Sequence, residues 1–417
     1  MQFDVFADFI KNILRKKLPG QLVIQMTDHC NALCPQCGMR VTERFGRSKI
    51  PNAELKRIID AAAAKGVRVI SFTGGEPLLY LDELVEMIQY AGESGIQFIR
   101  TGTNGFIFRK PEDEIRKIAE KLASTPLRNF WISVDSLCED THERMRGFKG
   151  IVKGIEKALP IFHQNGLYPS INLGLNRNLG GRATSEIKKE NFQDHNEYLN
   201  AFYETFYQSL RKFYRFAADL GFTILNICYP MSIEKNESGS DELQAVYKAS
   251  SAEDIVRLDN DEKALLFKAL LKVTPEFRSK IRVFSPLVSL YALERQYSDG
   301  HTSYPCRGGK DFFFIDAQRF STFPCGYRGQ DDYGFFGNMS VPRDQLDCFQ
   351  CDWECFRDPS ELLGPFLDMF SKPYDLLSKI INDPAYFRLW IKDLRYYKAC
   401  AFFDGRVSLN ACDIGKF

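Results

Sequence analysis

Short β-rich runs alternate with helical stretches along the first half of this 417-residue chain. One helical stretch separates each run from the next, and the runs lie at 22–26, 67–72, 97–100, 130–134, 171–175 and 222–227. Strands that alternate with helices in this way pair in parallel, because each helix carries the chain back across the sheet. The pattern predicts an α/β fold whose parallel sheet is built from βα units.

Polar and glycine residues follow each of the six predicted strands. They are Thr27-Asp28, Thr73-Gly74-Gly75, Thr101 to Asn104, Asp135-Ser136, Asn176 and Cys228. In a βα barrel the loops after the carboxyl ends of the strands converge on one face, and that face carries the active site. We therefore expect a functional site where these loops meet.

The composition narrows the classes of protein that this chain can be. The 55 basic and 54 acidic residues give a net charge of +1, so there is no electrostatic footprint for nucleic acid. No run of 18 apolar residues occurs, and we expect no transmembrane segment. Without a signal peptide, the expected location is the cytoplasm. Residues 1–20 predict an amphipathic helix docked on the main domain, although its basic end also suits an anionic membrane surface.

Three cysteines lie close together directly after the first predicted strand. Cys30, Cys34 and Cys37 place three thiols on one short loop. Such a loop suits a cubane iron–sulfur cluster, whose irons each take one cysteine, and three ligands leave the fourth iron open. The alternative is a structural zinc site completed by His29 or by a distant cysteine.

The spacing CX3CX2C after the first strand, together with Gly74-Gly75-Glu76-Pro77 after the second, resembles the radical S-adenosylmethionine (SAM) superfamily. The resemblance implies a partial (β/α)6 TIM-like barrel and a [4Fe–4S] cluster whose open iron binds SAM. It also implies the chemistry: an electron from the cluster cleaves SAM to methionine and a 5′-deoxyadenosyl radical, which abstracts hydrogen from the substrate. The expected electron donor is a reductant such as flavodoxin or ferredoxin.

The resemblance further implies which residues bind SAM. They are Gly74, Gly75, Glu76, Pro77, Thr103, Asn104, Ser133, Asp135 and Arg144. Arg146 remains an alternative to Arg144, because both lie in a segment similar to the family's arginine loop and a guanidinium binds the SAM carboxylate through paired hydrogen bonds. Gln36 departs from the family, which usually has an aromatic residue before the third cysteine, so the adenine packing must differ.

A second group of cysteines resembles the auxiliary-cluster domain called SPASM, or its shorter Twitch form. The resemblance implies one auxiliary [4Fe–4S] cluster with four cysteine ligands, Cys306, Cys325, Cys348 and Cys351. Cys355 is a substitute ligand or a fifth contact, and a zinc ribbon is the alternative. Cys400 and Cys412 are expected to be buried, inert thiols.

The chain is predicted to have five parts. They are an N-terminal helix at 1–20, a radical SAM partial barrel at 21–230, a helical connector at 231–300, a small cysteine-rich auxiliary domain at 301–358 and a helical segment at 359–417. Pro275 and Pro286 are expected breaks in the connector. The insertion at about 177–220 contains an aromatic helix at 198–216, which either packs in the core or forms a lid over the barrel mouth.

Taken together, these features predict a radical SAM enzyme that matures a peptide or natural product. A small-molecule dehydrogenase or rearrangement enzyme of the same superfamily is the alternative. A non-catalytic iron–sulfur electron carrier is a third interpretation, but a carrier needs no SAM site and the loop at Gly74–Pro77 argues against it.

Overall fold

The computed structural model describes residues 20–37, 46–230, 255–341 and 347–417. The predicted helix before Gly20 and the first part of the predicted helical connector, residues 231–254, lie outside the described residues. None of the helices within these ranges has the length and hydrophobicity that crossing a lipid bilayer requires.

One sheet of nine strands organises the described residues. The strands are β1 (Gly20–Thr27), β2 (Val67–Gly74), β3 (Phe98–Thr103), β4 (Leu127–Ser133), β5 (Ser170–Gly174), β6 (Ile224–Cys228), β7 (Arg282–Val283), β8 (Phe312–Ile315) and β9 (Thr322–Phe323). Their spatial order is β7-β6-β5-β4-β3-β2-β1-β8-β9. All neighbouring pairs are parallel except β8 and β9. The parallel α/β fold and the six predicted strands are therefore confirmed.

Helices connect the strands and follow them. They are α1 (Asn52–Ala64), α2 (Leu81–Glu93), α3 (Glu112–Ala123), α4 (Glu139–Arg146), α5 (Ile151–Gln164), α6 (Arg182–Ser185), α7 (His195–Asp219), α8 (Asn260–Phe277), α9 (Leu287–Ser298), α10 (Glu354–Ser371), α11 (Pro373–Asn382) and α12 (Pro384–Ala399).

The connector before the cysteine-rich segment differs from its prediction at one proline. A capping box starts α8: the Asp259 side chain accepts from the Glu262 N–H, and the Glu262 side chain accepts from the Asp259 N–H. The helix then continues through Pro275 and ends two residues later at Phe277, so Pro275 is not a break. Pro286 does mark one, because it directly precedes α9.

The cysteine-rich segment continues the main sheet. Residues Phe312 to Ile315 of β8 pair in parallel with Gln21 to Ile24 of β1. The sheet thus contains strands from both sides of the predicted domain boundary near residue 301. The sequence pattern shows that β8 is a strand, but its partner lies almost 300 residues earlier in the chain.

The two faces of the sheet have different surroundings, because successive side chains of a strand point to opposite faces. One face packs on the helices; its members include Ile99, Ile132, Ile171, Leu173 and Ile227, all fully buried. The other face, here called the inner face, carries half-buried residues that include Arg100, Trp131, Ser133, Asn172 and Cys228. Gly102 lets the Trp131 ring lie across β3, since a Cβ there would come within 2.2 Å of the ring. The inner face is therefore the one that a ligand can reach.

The aromatic helix predicted at 198–216 is α7, and it packs in the core. Phe202, Phe206, Leu210 and Phe213 are at most 1 % exposed and join the main hydrophobic cluster. Tyr203 is only half-buried, and its ring faces the ammonium groups of Lys268 and Lys272 on α8. Of the two interpretations of this helix, core packing is the one that the structure shows.

The C-terminal segment closes the sheet at the end where β4 and β5 begin. The Gly405 N–H donates to the Arg128 carbonyl, and the Tyr168 N–H donates to the Gly405 carbonyl. The Arg406 guanidinium donates to carbonyl oxygens between α3 and β4. Cys400 lies fully buried in this region, as expected, but Cys412 is only half-buried, so the expectation of two buried thiols was wrong for Cys412.

Candidate functional site

The three cysteines of the first group lie on the loop that follows β1. Cys30 is exposed, Cys34 is buried and Cys37 is half-buried. Burial raises the pKa of the Cys34 thiol to about 12, although the nearby Arg146 guanidinium acts in the opposite direction. A thiolate at this position therefore depends on positive charge beside it, which a bound metal or cluster supplies.

The loop Gly74–Pro77 is interlocked with the cysteine loop. The Gly75 N–H donates to the Thr27 carbonyl and the Glu76 N–H to the His29 carbonyl, each at 2.8 Å. A Cβ at Gly74 would lie 2.0 Å from the Thr27 oxygen, and one at Gly75 would lie 2.0 Å from the His29 oxygen. Both glycines are thus required by the backbone of the cysteine loop, a contact that the sequence does not reveal. Pro77 is buried and starts the short helical turn that follows.

Glu76 joins the loop after β2 to the loop after β3. Its buried carboxylate accepts from the Asn104 N–H at 2.6 Å and from the Leu78 N–H at 3.1 Å. Burial raises the pKa of Glu76 to about 7, and these hydrogen bonds limit the rise. Asn104 in turn donates to the Asn31 side chain at 2.9 Å. Glu76 and Asn104 therefore fix the position of the cysteine loop, and Thr103 is buried beside them.

A buried ion pair lies on the other side of the cysteine loop, at the end of β4. The Arg146 Nη2 atom lies 2.7 Å from Asp135 Oδ1, and the Gln36 Nε2 atom donates to Asp135 Oδ2 at 3.1 Å. The Asp135 N–H donates to His142 Nδ1, and burial lowers the pKa of His142 to about 4, so this imidazole is neutral. Gln36, the residue that departs from the family, thus has a defined partner.

Arg144, the arginine that the sequence favours as the SAM ligand, does not lie beside the cysteine loop. It is exposed, and its guanidinium bonds to the Thr141 hydroxyl at 3.4 Å on its own helix. Two residues along a helix point in widely different directions, so only one of the pair can face the cysteines. The structure brings Arg146 to the cysteine loop and leaves Arg144 outside. Ser133, on β4, lies on the inner face in register with Asn172.

The second cysteine group surrounds one pocket beside β8 and β9. Cys306, Cys325, Cys348 and Cys351 line it together with Arg328, Trp353 and Phe356. The Cys306 N–H donates to the Cys348 carbonyl at 2.8 Å, which joins the first and third of these cysteines. Burial raises the pKa of the Cys306 thiol to about 11. Within the described ranges, no three cysteine, histidine, aspartate or glutamate side chains are positioned to bind one metal ion.

Cys355, the expected substitute ligand, is not part of this pocket. Its thiol instead bonds to Glu354 Oε1 at 3.5 Å, and Cys228 at the end of β6 faces the same carboxylate. From the sequence, Cys228 is recognisable only as a strand ending, and Glu354 has no recognisable pattern. Nothing in their spacing brings these two residues together, because the contact depends on how α10 lies against β6.

A three-cysteine loop interlocked with a glycine loop lies at the carboxyl edge of the parallel sheet, as the resemblance to the radical SAM superfamily implies. In agreement, residues 24–178 match the sequence model of the Radical SAM superfamily. This part of the chain is a radical SAM domain, and the predicted class is confirmed. Proteins of this family use a [4Fe–4S] cluster and SAM, and they require a reductant.

Two curated relatives each match less than half of the chain. Fe-coproporphyrin III synthase of Methanosarcina barkeri is 30% identical over 173 residues, which is 39% of this chain and 41% of the relative. GTP 3',8-cyclase of Desulforamulus reducens is 32% identical over 149 residues, 34% of this chain and 42% of the relative. The chain thus matches about two fifths of the length of these relatives.

Solved structures resemble a larger share of the chain at low identity. SuiB of Streptococcus suis bound to S-adenosylmethionine is 19% identical, with 76% of this chain and 63% of that chain covered and a TM-score of 0.48. The enzyme anSMEcpe with bound AdoMet and a Cp18Cys peptide is 15% identical, with coverage of 77% and 78% and a TM-score of 0.48.

Proposed function

We propose that this protein reductively cleaves SAM at a [4Fe–4S] cluster held by Cys30, Cys34 and Cys37. The 5′-deoxyadenosyl radical then abstracts hydrogen from a substrate at the inner face of the sheet. The observation that carries the proposal is the interlocking of the cysteine loop with the loop Gly74–Pro77. A protein that only carries electrons has no need of this second loop beside its cysteines.

The residues around the cysteine loop fit SAM, which presents a carboxylate, an ammonium group and a ribose. Arg146 supplies the guanidinium for the carboxylate, in place of Arg144. The loop Gly74–Pro77 offers backbone groups to the ammonium, while Ser133 and Asp135 are the contacts at the ribose. Glu76, Thr103 and Asn104 act by holding the loops, since their side chains are buried and Glu76 is bonded to neighbouring backbone.

The four-cysteine pocket is the proposed site of one auxiliary [4Fe–4S] cluster. In a cubane cluster each thiolate binds a different iron, so the ligands surround the cluster. Four thiols line this pocket. Cys355 is outside it and takes no part as a ligand. Arg328, at the edge of the pocket, adds positive charge beside the thiolates.

The substrate class in this proposal is a peptide or natural product under maturation. The support is the auxiliary cysteine segment, which resembles the SPASM and Twitch domains frequent in such enzymes. A small-molecule substrate is the second candidate, favoured by relatives that are named as a GTP cyclase and as porphyrin and heme synthases. A flavodoxin or a ferredoxin is the proposed electron donor.

The test replaces Cys30, Cys34 and Cys37 together by Ala in anaerobically reconstituted protein. Wild type and a Cys400→Ala control, which changes a buried thiol remote from the loop, should form 5′-deoxyadenosine from SAM and dithionite. The triple variant should form none but should keep the iron of the auxiliary cluster. Formation of 5′-deoxyadenosine by the triple variant contradicts the proposal.

A further inference from the structure

The segment from Met369 to Lys398 carries most of the large apolar side chains that the described part of the chain exposes. It contains the end of α10, all of α11 and most of α12. Of eleven such exposed side chains, seven lie here: Met369, Phe370, Tyr374, Leu377, Ile380, Ile381 and Ile391. Apolar side chains that cluster on a surface mark an interaction site, whereas single scattered ones need no explanation.

Helix α11 has its apolar side turned outward. Tyr374, Leu377 and Ile381 are 87%, 55% and 69% exposed. Their spacing of three and four residues places them on one face of the helix. Lys379 lies on the opposite side, where its ammonium group contacts Asp368 of α10 at 2.7 Å. The helix thus directs a lysine at the protein and three large apolar side chains at solvent.

This orientation forgoes the main favourable free energy that a helix contributes to folding, which is the burial of an apolar face. None of the ten residues of α11 is buried. The apolar face of α11 is therefore suited to contact with a partner rather than to packing within this chain.

The exposed charges of the same segment are mostly basic. Five basic side chains are exposed: Lys372, Arg388, Lys392, Arg395 and Lys398. Asp375 is the one acidic side chain of the segment that is equally exposed. Of its other two acids, Asp383 pairs with Arg295 and Asp393 is buried. The segment is therefore positively charged at its surface, although the whole chain has a net charge of only +1.

The basic and apolar side chains lie on neighbouring surfaces. Arg388, Ile391, Lys392 and Arg395 follow one another at helical spacing and form the exposed side of α12. Helices α11 and α12 are joined by the single residue Asp383 and pack on each other. Their exposed sides, here called the α11–α12 surface, therefore combine a row of apolar side chains with a row of cations.

We infer that the α11–α12 surface binds an anionic lipid bilayer, with the apolar side chains of α11 inserted at the boundary between headgroups and acyl chains. Helices that lie in the plane of a membrane have an apolar face beside lysine and arginine side chains, and both contribute to binding. Tyr374 suits this boundary, since its ring is apolar and its hydroxyl group is polar. The inference goes beyond the proposed function and does not depend on it, because the α11–α12 surface includes no residue of either cysteine group.

A second copy of this chain is a less favourable occupant of the surface. In a twofold dimer the same surface meets itself, so the basic side chains of the two copies would approach one another. Like charges brought together in an interface oppose association. The headgroups of anionic lipids instead neutralise the cations of α12.

The experiment sediments the full-length reconstituted protein with vesicles. One set contains phosphatidylcholine alone, and the other contains phosphatidylcholine and phosphatidylglycerol in equal parts. Wild type should bind the anionic vesicles much more tightly than the neutral ones. Salt at about 1 M should weaken that binding, because it shortens the Debye length to about 3 Å.

The apolar half of the surface is tested by Leu377→Ser. If Leu377 inserts into the bilayer, this change should weaken binding to anionic vesicles by about tenfold, the effect expected from losing one buried leucine side chain. Leu79→Ser is the matched control, since Leu79 is an exposed leucine outside the α11–α12 surface. The control should bind as wild type does.

The basic half is tested by combining Arg388→Gln, Lys392→Gln and Arg395→Gln. Each cation near an anionic membrane contributes about 1 kcal/mol, so the triple variant should bind at least about tenfold more weakly. Its control makes the same change in net charge at three exposed lysines elsewhere, Lys65, Lys153 and Lys157. All these side chains are exposed, and thermal unfolding verifies that each variant is folded.

Failure of the wild type to bind anionic vesicles overturns the inference. Unchanged binding by both test variants places the contact elsewhere, for example in the predicted helix at 1–20, and also overturns it. Analytical ultracentrifugation examines the remaining occupant: a wild-type dimer that Leu377→Ser converts to a monomer assigns the surface to a second copy. None of these outcomes bears on SAM cleavage, so the proposed function stands or falls separately.

Discussion

Single residues decide how the cysteine loop is held, and Glu76 has the clearest pH dependence. Its pKa is raised to about 7 by burial. Between the ordinary value near 4.5 and pH 7, the folded protein keeps a proton that the unfolded chain has lost. Stability therefore falls as the pH rises through this window, by up to about 3 kcal/mol from this group. Glu76→Gln cannot ionise and should lose that part of the dependence. Urea unfolding at pH 5, 6 and 7 measures it, and equal slopes for variant and wild type count against the assignment.

The two arginines of α4 provide a matched pair at the same scale. Arg146→Ala leaves the Asp135 carboxylate buried without its cation, a change that typically costs about 3–5 kcal/mol. Arg144→Ala removes an exposed side chain and should change stability by less than about 0.5 kcal/mol. SAM affinity, measured by equilibrium dialysis, should fall for Arg146→Ala only. A larger loss of affinity in Arg144→Ala would restore the original choice of arginine.

Some of these residues can be identified from the sequence, and others cannot. The cysteine spacing and the run Gly74–Pro77 are local, so the motif identifies them without a structure. Whether Arg144 or Arg146 faces the cysteines depends on the rotation of α4, which the spacing leaves open. The contact between Glu354 and Cys228 depends on long-range packing and has no local pattern.

Among the helices and strands, α7 has an aromatic sequence pattern whose side chains pack in the hydrophobic core. Phe206 is 1% exposed and stacks on Phe202 with ring centroids 4.3 Å apart. Phe206→Ala should cost about 3–5 kcal/mol, as large cavities in a core do. Tyr203→Ala is the matched control on the same helix, and it should cost clearly less because Tyr203 is half-buried. Thermal unfolding measures the loss of stability in both variants. If α7 formed a lid instead, the two variants would be equally stable and would release more 5′-deoxyadenosine without forming product.

The six strands were predictable because short apolar runs and intervening helices are local patterns. The position of β8 beside β1 was not, since a four-residue run such as Phe312–Ile315 specifies a strand but no partner. The continuation of α8 through Pro275 was also missed. Pro275 lies two residues before the end of α8, and the sequence does not reveal how far a helix runs past an internal proline.

At the scale of the whole molecule, one sheet connects both cysteine groups. The first group follows β1, and the second surrounds a pocket beside β8, the strand that pairs with β1. The C-terminal segment closes the opposite end of the sheet through Gly405 and Arg406. The inner face is therefore left accessible at the edge where the loops Cys30–Cys37 and Gly74–Pro77 meet.

The most direct test asks which cluster SAM touches. Electron paramagnetic resonance of the dithionite-reduced protein is recorded with and without SAM in two variants. One lacks the loop cysteines (Cys30, Cys34 and Cys37 to Ala), and the other lacks the pocket cysteines (Cys306, Cys325, Cys348 and Cys351 to Ala). SAM should shift the cluster signal in the pocket variant and leave that of the loop variant unchanged. A SAM-dependent shift in the loop variant, with none in the pocket variant, would contradict the account.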